Sequence, residues 1–251
     1  MEKSELNAFL LALQFLTRLR FPVEFSADAM RASPRWYPGV GVVIGLVTGI
    51  LYWGAALLFT PVLAAILSTA AGLILTGGLH EDGFADACDG LGGSQPRARV
   101  LEIMRDSRIG TYGTLGLGLM VATKVVALAA LPVWVVPFVL IAGHAASRAS
   151  MLWVMVSADY ARDQGAASPA LGGMDQRAVG VALACTALAL LPLLFVLPLL
   201  AVITGLLGLV AGHYAMRRRF EARLGGYTGD CLGAVQQCSE IGFYLGILAL
   251  V

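Results

Sequence analysis

Long apolar runs recur along the whole chain, separated by short breaks that contain prolines or charged residues. A helix that crosses a hydrocarbon core of about 30 Å needs about 20 predominantly apolar residues. The runs therefore predict an all-α, polytopic membrane protein with a single transmembrane domain over residues 1–251. We predict its membrane-spanning helices over residues 36–59, 61–79, 113–131, 134–156, 178–193, 195–215 and 235–251.

The first apolar stretch, residues 7–21, differs from the others. It is too short to cross the membrane comfortably, and it ends in Arg18, Arg20 and Pro22. We prefer an interfacial or half-inserted helix, because a short segment with apolar and basic residues is suited to the headgroup boundary. A full eighth span is the alternative.

Composition excludes a soluble globular domain. Hydrophobic residues make up 58% of the chain and charged residues 13%, and the mean hydropathy is +0.80, so the lipid bilayer is the expected environment. A net charge of +1 provides no basic field for nucleic acid. The four cysteines lack the close spacing of zinc or thioredoxin-like sites, which predicts free thiols.

The remaining charge is concentrated in alternate linkers. Arginines cluster in residues 80–112, 157–177 and 216–234, whereas the proline-containing breaks between the other runs carry no charge. By the positive-inside rule these three linkers face the cytoplasm. The pattern indicates a multi-pass protein, and a site built from these linkers would face the cytoplasm.

The most unusual segment is GGLHEDGFADACDGLGG, residues 77–93, at the mouth of a predicted span. If it is helical, Asp82, Asp86 and Asp89 lie at i, i+4 and i+7 and project from one face. Crowded carboxylates repel one another unless a cation lies between them, and oxygen ligands suit Mg²⁺ or Mn²⁺ better than zinc. We therefore predict a site for one of these two divalent cations. A solvated acidic cap is the alternative, but it does not account for the glycines that bracket the acids.

The same linker continues as RVLEIMRDSRIGTYG, residues 99–113. Arg105 and Arg108 flank Asp106, and guanidinium groups can hold a pyrophosphate in two-point contact. Asp106 is a candidate to complete the metal shell or to accept a proton. The alternative is a surface ion pair in a positively charged membrane anchor.

Two cations, Lys124 and Arg148, fall inside predicted spans. Charges in lipid are costly and usually face the bundle interior, where they mark a substrate path or a buried partner. Snorkelling toward the membrane surface is the alternative. His80 points away from the Asp82 face of an ideal helix, so we favour a hydrogen-bonding role for it over a metal-binding one.

The last charged linker contains LGGYTGD, residues 224–230, before the final span. The backbone amides of this glycine-rich turn, which includes Gly226 and Thr228, are suited to phosphate binding. Asp230 is a candidate to join the metal or to orient a nucleophile. A plain turn is the alternative.

In their order along the chain, these motifs resemble those of the cobalamin synthase family, also described as adenosylcobinamide-GDP ribazoletransferases. The resemblance runs nearly end to end, through FLTRLRFP, WYPGVGVVIG, GGLHEDGFADACDG, EIMRDSRIGTYG, GHAASR and LGGYTGDCLGAVQQCSE. Glu81 departs from it, because the family pattern usually has an apolar residue there.

The resemblance implies a reaction of adenosylcobinamide-GDP with α-ribazole or its 5′-phosphate, with Mg²⁺ as cofactor and GMP as leaving group. The hydroxyl of the ribazole would attack the corrinoid-linked phosphorus. We expect metal binding by Asp82, Asp86 and Asp89, charge neutralisation by Arg105 and Arg108, and assistance to the nucleophile by Asp106 or Asp230. We expect substrate contacts from His80, Glu81, Lys124, Arg148, Gly226 and Thr228.

Two other functions stay open at this point. The acidic motif is distantly similar to that of CDP-alcohol phosphotransferases, but the chain lacks that family's arginine after the DG and its second aspartate pair. An ion-coupled transporter is the other function, although transporters usually hold their site near the midplane and show repeated halves. A homo-oligomer is compatible with the sequence, but no feature argues for one.

Overall fold

The computed structural model describes residues 3–162 and 175–251, and the regular elements of this part of the chain are helices. The predicted all-α class is thus confirmed. A 3-10 helix, Ser33–Trp36, joins the second α-helix to the third. The α-helices are α1 (Lys3–Leu16), α2 (Ala27–Ala32), α3 (Tyr37–Ala56), α4 (Pro61–Thr76), α5 (Leu79–Gly92), α6 (Arg97–Ile103), α7 (Thr111–Ala130), α8 (Val136–Ser157), α9 (Gln176–Leu190), α10 (Leu193–Val196), α11 (Leu199–Leu224) and α12 (Gly229–Leu248).

Five helical segments of the described chain are long and apolar enough to cross a membrane. They correspond to five of the predicted spans, and the chain is accordingly a multi-pass membrane protein. The predicted span over 195–215 is longer in the structure, because α11 continues through its arginines to Leu224. The segments are Ala27–Ala56, Thr111–Ala130, Val136–Ser157, Gln176–Val196 and Leu199–Leu224.

The other two predicted spans have a different character. α4 has only 16 residues, and it is bent by 92° from α5, so the two together form at most one broken span. α12 has 20 residues but is less apolar, because it carries Asp230 and Glu240. Its polar side chains at Gln236 and Glu240 are fully buried. By length and hydropathy, the described residues contain five candidate spans, or six if the bent pair is one span, whereas we predicted seven.

The N-terminal helix is short, as predicted, but it begins and ends earlier in the chain than the predicted segment 7–21. α1 begins at Lys3 and ends at Leu16, before the arginines of the predicted segment 7–21. Fourteen residues extend about 21 Å, less than a hydrocarbon core. This length disfavours an eighth full span and is compatible with an interfacial helix.

The two C-terminal helices pack through glycines. A β-carbon at Gly208 of α11 would overlap the carbonyl oxygen of Gly242 on α12, and one at Gly242 would overlap the carbonyl oxygen of Gly208. Small residues allow helix backbones to approach closely in a membrane, where packing drives association. α12 is thereby held in the middle of the bundle, beside α5, α7, α8 and α11.

The three charged linkers meet at one end of the bundle. Arg97 Nε donates to the carbonyl oxygen of Leu224 at 2.8 Å, and its NH2 donates to that of Ala161 at 2.9 Å. Tyr227 N donates to the carbonyl oxygen of Asp159 at 2.9 Å. These contacts bring the three linkers together, as a common location on one side of the membrane requires.

Candidate functional site

The acidic motif forms a continuous helix that leaves α4 through a sharp turn. Gly77 and Gly78 have φ of 73° and 69°, in the left-handed region that glycine adopts without strain. α5 follows without a break at Gly83 or Gly90. The predicted i, i+4, i+7 face is therefore present, and Asp82 and Asp86 project from it into an open cleft.

This acidic cleft has a volume of about 860 Å³. Arg105 and Asp106 of the α6–α7 linker line its far wall, and Arg18 lines the side formed by the end of α1. The structure thus brings together the acids of α5 and the arginine-rich segment, which the sequence predicted to form one site. Within the described residues, neither Asp82 nor Asp86 has a side-chain hydrogen-bond or ion-pair partner.

Asp89 has a different environment from the other two aspartates. Its carboxylate accepts hydrogen bonds from the backbone N–H groups of Gly110 at 2.7 Å and Gly113 at 2.8 Å. These donors are free N–H groups at the start of α7, so Asp89 caps that helix from a distant position in the chain. The observed role of Asp89 is to fix α7 against α5, and its role as a metal ligand stays a prediction.

Asp230 lies beside α5, although it begins α12. A β-carbon at Gly83 would lie 3.0 Å from the Cα of Asp230, so the two helices touch where the glycine leaves room. The Asp230 carboxylate lies 2.9 Å from NH2 of Arg162. Arg162 belongs to the basic linker 157–177, and no motif around it predicted a place in the site.

The glycine-rich turn before α12 contacts other protein groups. Thr228 is fully buried, and its hydroxyl accepts a hydrogen bond from the N–H of Cys231, which caps α12. A β-carbon at Gly226 would overlap the carbonyl oxygen of Asp159. Both residues position Asp230, and neither lines the acidic cleft. Their predicted contacts with substrate stay predictions.

Asp106 and Arg108 form an ion pair at the surface. Arg108 donates to the Asp106 carboxylate through Nε at 3.0 Å and NH2 at 2.7 Å, and through its backbone N–H at 3.1 Å. These hydrogen bonds lower the pKa of Asp106 to about 2. A carboxylate with so low a pKa is a weak base, so the geometry favours a positioning role for Asp106 over proton acceptance.

Lys124 and Glu240 form the centre of a buried polar network. Lys124 Nζ lies 2.8 Å from Glu240 Oε1 and donates to Gln237 Oε1 at 2.9 Å. Gln237 Nε2 donates to Glu81 Oε1 at 2.8 Å. Lys124 is 6% exposed, so it faces the bundle interior, as predicted, and does not snorkel.

Arg148 belongs to the same network and is 1% exposed. Its NH1 donates to the carbonyl oxygen of His144 at 3.0 Å, and its NH2 lies 3.4 Å from His80 Nδ1. His144 Nδ1 lies 3.1 Å from Glu240 Oε2. Glu240 therefore contacts Lys124 on α7 and His144 on α8. No sequence motif predicted this role for Glu240, although a glutamate within an apolar stretch is the kind of signal that marked Lys124 and Arg148.

The network borders a small cavity of about 20 Å³, enough for one water molecule. His80 Nε2 and Thr69 Oγ1 are buried without a partner, and both residues line this cavity. Glu81 lines the cavity and also the acidic cleft. Of the four charged or histidine side chains predicted to contact substrate, Glu81 reaches the cleft, whereas His80, Lys124 and Arg148 contact other protein groups.

The chemistry of the cleft fits a magnesium ion better than a transition metal. Within the described residues, no three histidine, cysteine or acidic side chains converge on one point as a complete metal site. Asp82 and Asp86 supply two unpaired carboxylates to the same open cleft. Mg²⁺ is usually held by one or two carboxylates and completes its shell with water and substrate phosphates, so this pair suffices.

The chain is similar to a group of known proteins along almost all of its length. A family model described as cobalamin-5-phosphate synthase matches residues 8–248. Adenosylcobinamide-GDP ribazoletransferase from Leptothrix cholodnii is 42% identical, over 98% of this chain and 96% of the relative. The protein of the same name from Polaromonas sp. is 38% identical, over 95% of this chain and 95% of the relative. The one from Shewanella piezotolerans is 36% identical, over 98% of this chain and 96% of the relative. No solved structure matches the chain.

Proposed function

The chain belongs to the cobalamin-5-phosphate synthase family, and from this membership we propose that it completes the nucleotide loop of a corrinoid. It transfers the adenosylcobinamide-phosphate part of adenosylcobinamide-GDP to α-ribazole or its 5′-phosphate. The products are GMP and adenosylcobalamin or its 5′-phosphate. The observation that carries this proposal is that relatives named for this transfer match the chain nearly end to end.

The bond changes follow from the two substrates. The hydroxyl oxygen of the ribazole attacks the phosphorus that is linked to the corrinoid, and the bond between this phosphorus and the bridging oxygen of the pyrophosphate breaks. GMP leaves with that oxygen. The hydroxyl proton passes to a nearby base, for which we favour Asp230, because burial raises its pKa whereas the hydrogen bonds from Arg108 lower the pKa of Asp106.

Residues of the acidic cleft supply the charge stabilisation that phosphoryl transfer requires. Asp82 and Asp86 would hold Mg²⁺ on the pyrophosphate. Bound there, the ion neutralises phosphate charge. Arg105, which also lines the cleft, is placed to contact the phosphate oxygens that gain charge. Arg162 fixes the carboxylate of Asp230.

We place the cleft on the cytoplasmic side of the inner membrane. The cleft is lined by residues of the first of the three basic linkers, which meet at one end of the bundle and together carry most of the arginines of the chain. Basic linkers are retained on the cytoplasmic side. Nucleotide-activated substrates are then available from the same compartment. No observation in the structure favours the CDP-alcohol phosphotransferase or transporter alternatives.

The proposal is tested by following GMP release. The detergent-solubilised protein is given adenosylcobinamide-GDP and α-ribazole, with and without Mg²⁺, beside a CDP-alcohol donor and acceptor as control. We expect Mg²⁺-dependent GMP release and a cobalamin product. CMP release from the control pair, with no turnover of the corrinoid, would reject the proposal.

A further inference from the structure

A second cleft, of about 620 Å³, lies between α5, α7 and α11. Its α5 wall is formed by Ala87, Cys88 and Leu91, none of which lines the acidic cleft. α11 contributes the apolar Met216 and Ala222. The chemistry described above uses no residue of this second cleft.

The second cleft is strongly basic. Arg218, Arg219 and Arg223 of α11 line it, and all three are exposed. Arg219 and Arg223 are one helical turn apart and so lie on the same face. Within the described residues, these three arginines form no ion pair with an acid, whereas their neighbour Arg217 is paired with Glu221 at 2.8 Å.

The neutral contacts of these arginines leave their charge uncompensated. Arg223 NH2 donates to the carbonyl oxygen of Gly93 at 2.9 Å. Arg218 lies over the ring of Tyr214, with 6.0 Å between its Cζ and the ring centroid. Three positive charges beside an apolar wall thus lack an anion.

The position of the second cleft along the helices corresponds to the membrane surface. The apolar part of α11 ends just before its arginines, and residues 217–224 carry most of the charge of this helix. Tyr112, in the first turn of α7, completes the wall and is 55% exposed. Tyrosine and arginine are typical of the headgroup level, with acyl chains beside them.

We propose that this second cleft binds the headgroup of an anionic phospholipid. The phosphate lies against Arg219 and Arg223, and an acyl chain follows the apolar wall of Leu91 and Met216 toward the membrane. Basic pockets between membrane helices bind anionic lipid headgroups by this combination of charge and apolar contact. The inference is independent of the transferase reaction, because its residues and those of the acidic cleft are different.

The test measures lipid retention by native mass spectrometry and thermal stabilisation in detergent. The probes are phosphatidylglycerol, phosphatidylcholine and inorganic phosphate, each added to the full chain. We expect phosphatidylglycerol to be retained and to raise the unfolding temperature, and the other two probes to have little effect. Each arginine near an anionic lipid surface contributes about fivefold to the affinity. The Arg219→Gln/Arg223→Gln variant should therefore bind phosphatidylglycerol about 25-fold more weakly.

Two matched variants separate this site from general charge effects. Arg219→Lys/Arg223→Lys keeps both charges and should retain most of the binding. Arg20→Gln/Arg31→Gln removes two exposed arginines outside both clefts and should bind as the unmodified chain does. Equal loss of binding in this control, or equal stabilisation by inorganic phosphate, would overturn the proposal, as would equal retention of phosphatidylcholine.

Discussion

The Asp230 carboxylate lies 2.9 Å from the guanidinium of Arg162, although the two residues are 68 positions apart in the chain. This pair connects the α8–α9 linker to the start of α12, beside Gly83 of α5. Each partner fixes the other, so their effects on turnover are coupled. We expect Arg162→Gln and Asp230→Asn each to lower turnover about 10–100-fold, as misplacement of a site group does.

The double variant distinguishes coupling from two independent defects. We expect Arg162→Gln/Asp230→Asn to be no slower than the slower single variant. Arg177→Gln, in the first turn of α9, is the control, since its guanidinium is 66% exposed and pairs with Glu5. Additive losses in the double variant would show that the pair does not act as a unit.

The two unpaired aspartates of α5 should control the metal requirement. We expect Asp82→Asn and Asp86→Asn to abolish or strongly reduce GMP release and to raise the Mg²⁺ concentration needed for the remaining activity, because a ligand charge is lost. Membrane insertion should be unchanged. Asp28→Asn, which alters a 96% exposed carboxylate, is the control and should leave the Mg²⁺ dependence of the activity unchanged. If Asp82→Asn and Asp86→Asn also leave that dependence unchanged, the two aspartates do not belong to the site.

Gly83 sets the distance between α5 and α12. A β-carbon there would lie 3.0 Å from both Cα and the carbonyl oxygen of Asp230, so Gly83→Ala must push the two backbones apart. We expect turnover to fall about tenfold or more while the chain still inserts and folds. Gly118→Ala is the control, because nothing lies within 4 Å of its added β-carbon. It should keep full activity and gain roughly 0.5–1 kcal/mol of stability from higher helix propensity.

The buried pair of Lys124 and Glu240 should dominate stability. Lys124→Met leaves Glu240, which is fully buried, without its 2.8 Å partner. We expect the free energy of unfolding in detergent to fall by about 3–5 kcal/mol. Lys124→Met/Glu240→Gln, which removes both charges, should recover part of this loss; a double variant less stable than the single would contradict the account.

Asp106 should not titrate near neutral pH. Its hydrogen bonds from Arg108 lower its pKa to about 2, below the ordinary value of 3.8, so the carboxylate is charged above about pH 4 and the pair is lost only as pH falls through about 2. Between pH 5 and 9, Asp106→Asn should therefore lower the rate without changing the shape of the pH profile. Disappearance of one limb of that profile would identify Asp106 as a proton acceptor instead.

Much of the fold could be predicted from the sequence because lipid imposes a simple rule. Apolar runs of about 20 residues must be helices, and α3, α7, α8, α9 and α11 follow directly from it. The same rule overestimated the length of α4, because hydropathy does not show the left-handed turn at Gly77 and Gly78 that follows the helix. It also classified α12 with the ordinary spans, although the polar side chains of this helix, such as Glu240, face the bundle centre.

The candidate site was predictable where its residues are close in sequence. The helical spacing of Asp82 and Asp86 was sufficient to place both side chains on one face. Contacts between distant segments were not predictable in this way. Nothing in the local pattern indicates that Asp89 caps α7 or that Arg162 reaches Asp230, since both depend on how α5, α7 and α12 pack.

The network around Lys124 also constrains the order in which the membrane protein is assembled. Gln237, which accepts a hydrogen bond from Lys124, is translated 113 residues later, on the order of 10 s at roughly 5–20 residues per second. During this interval α7 and α8 hold cations for which no counter-charge from α12 has yet been made. The ion pair between Lys124 and Glu240 can therefore form only after the last helix has been made.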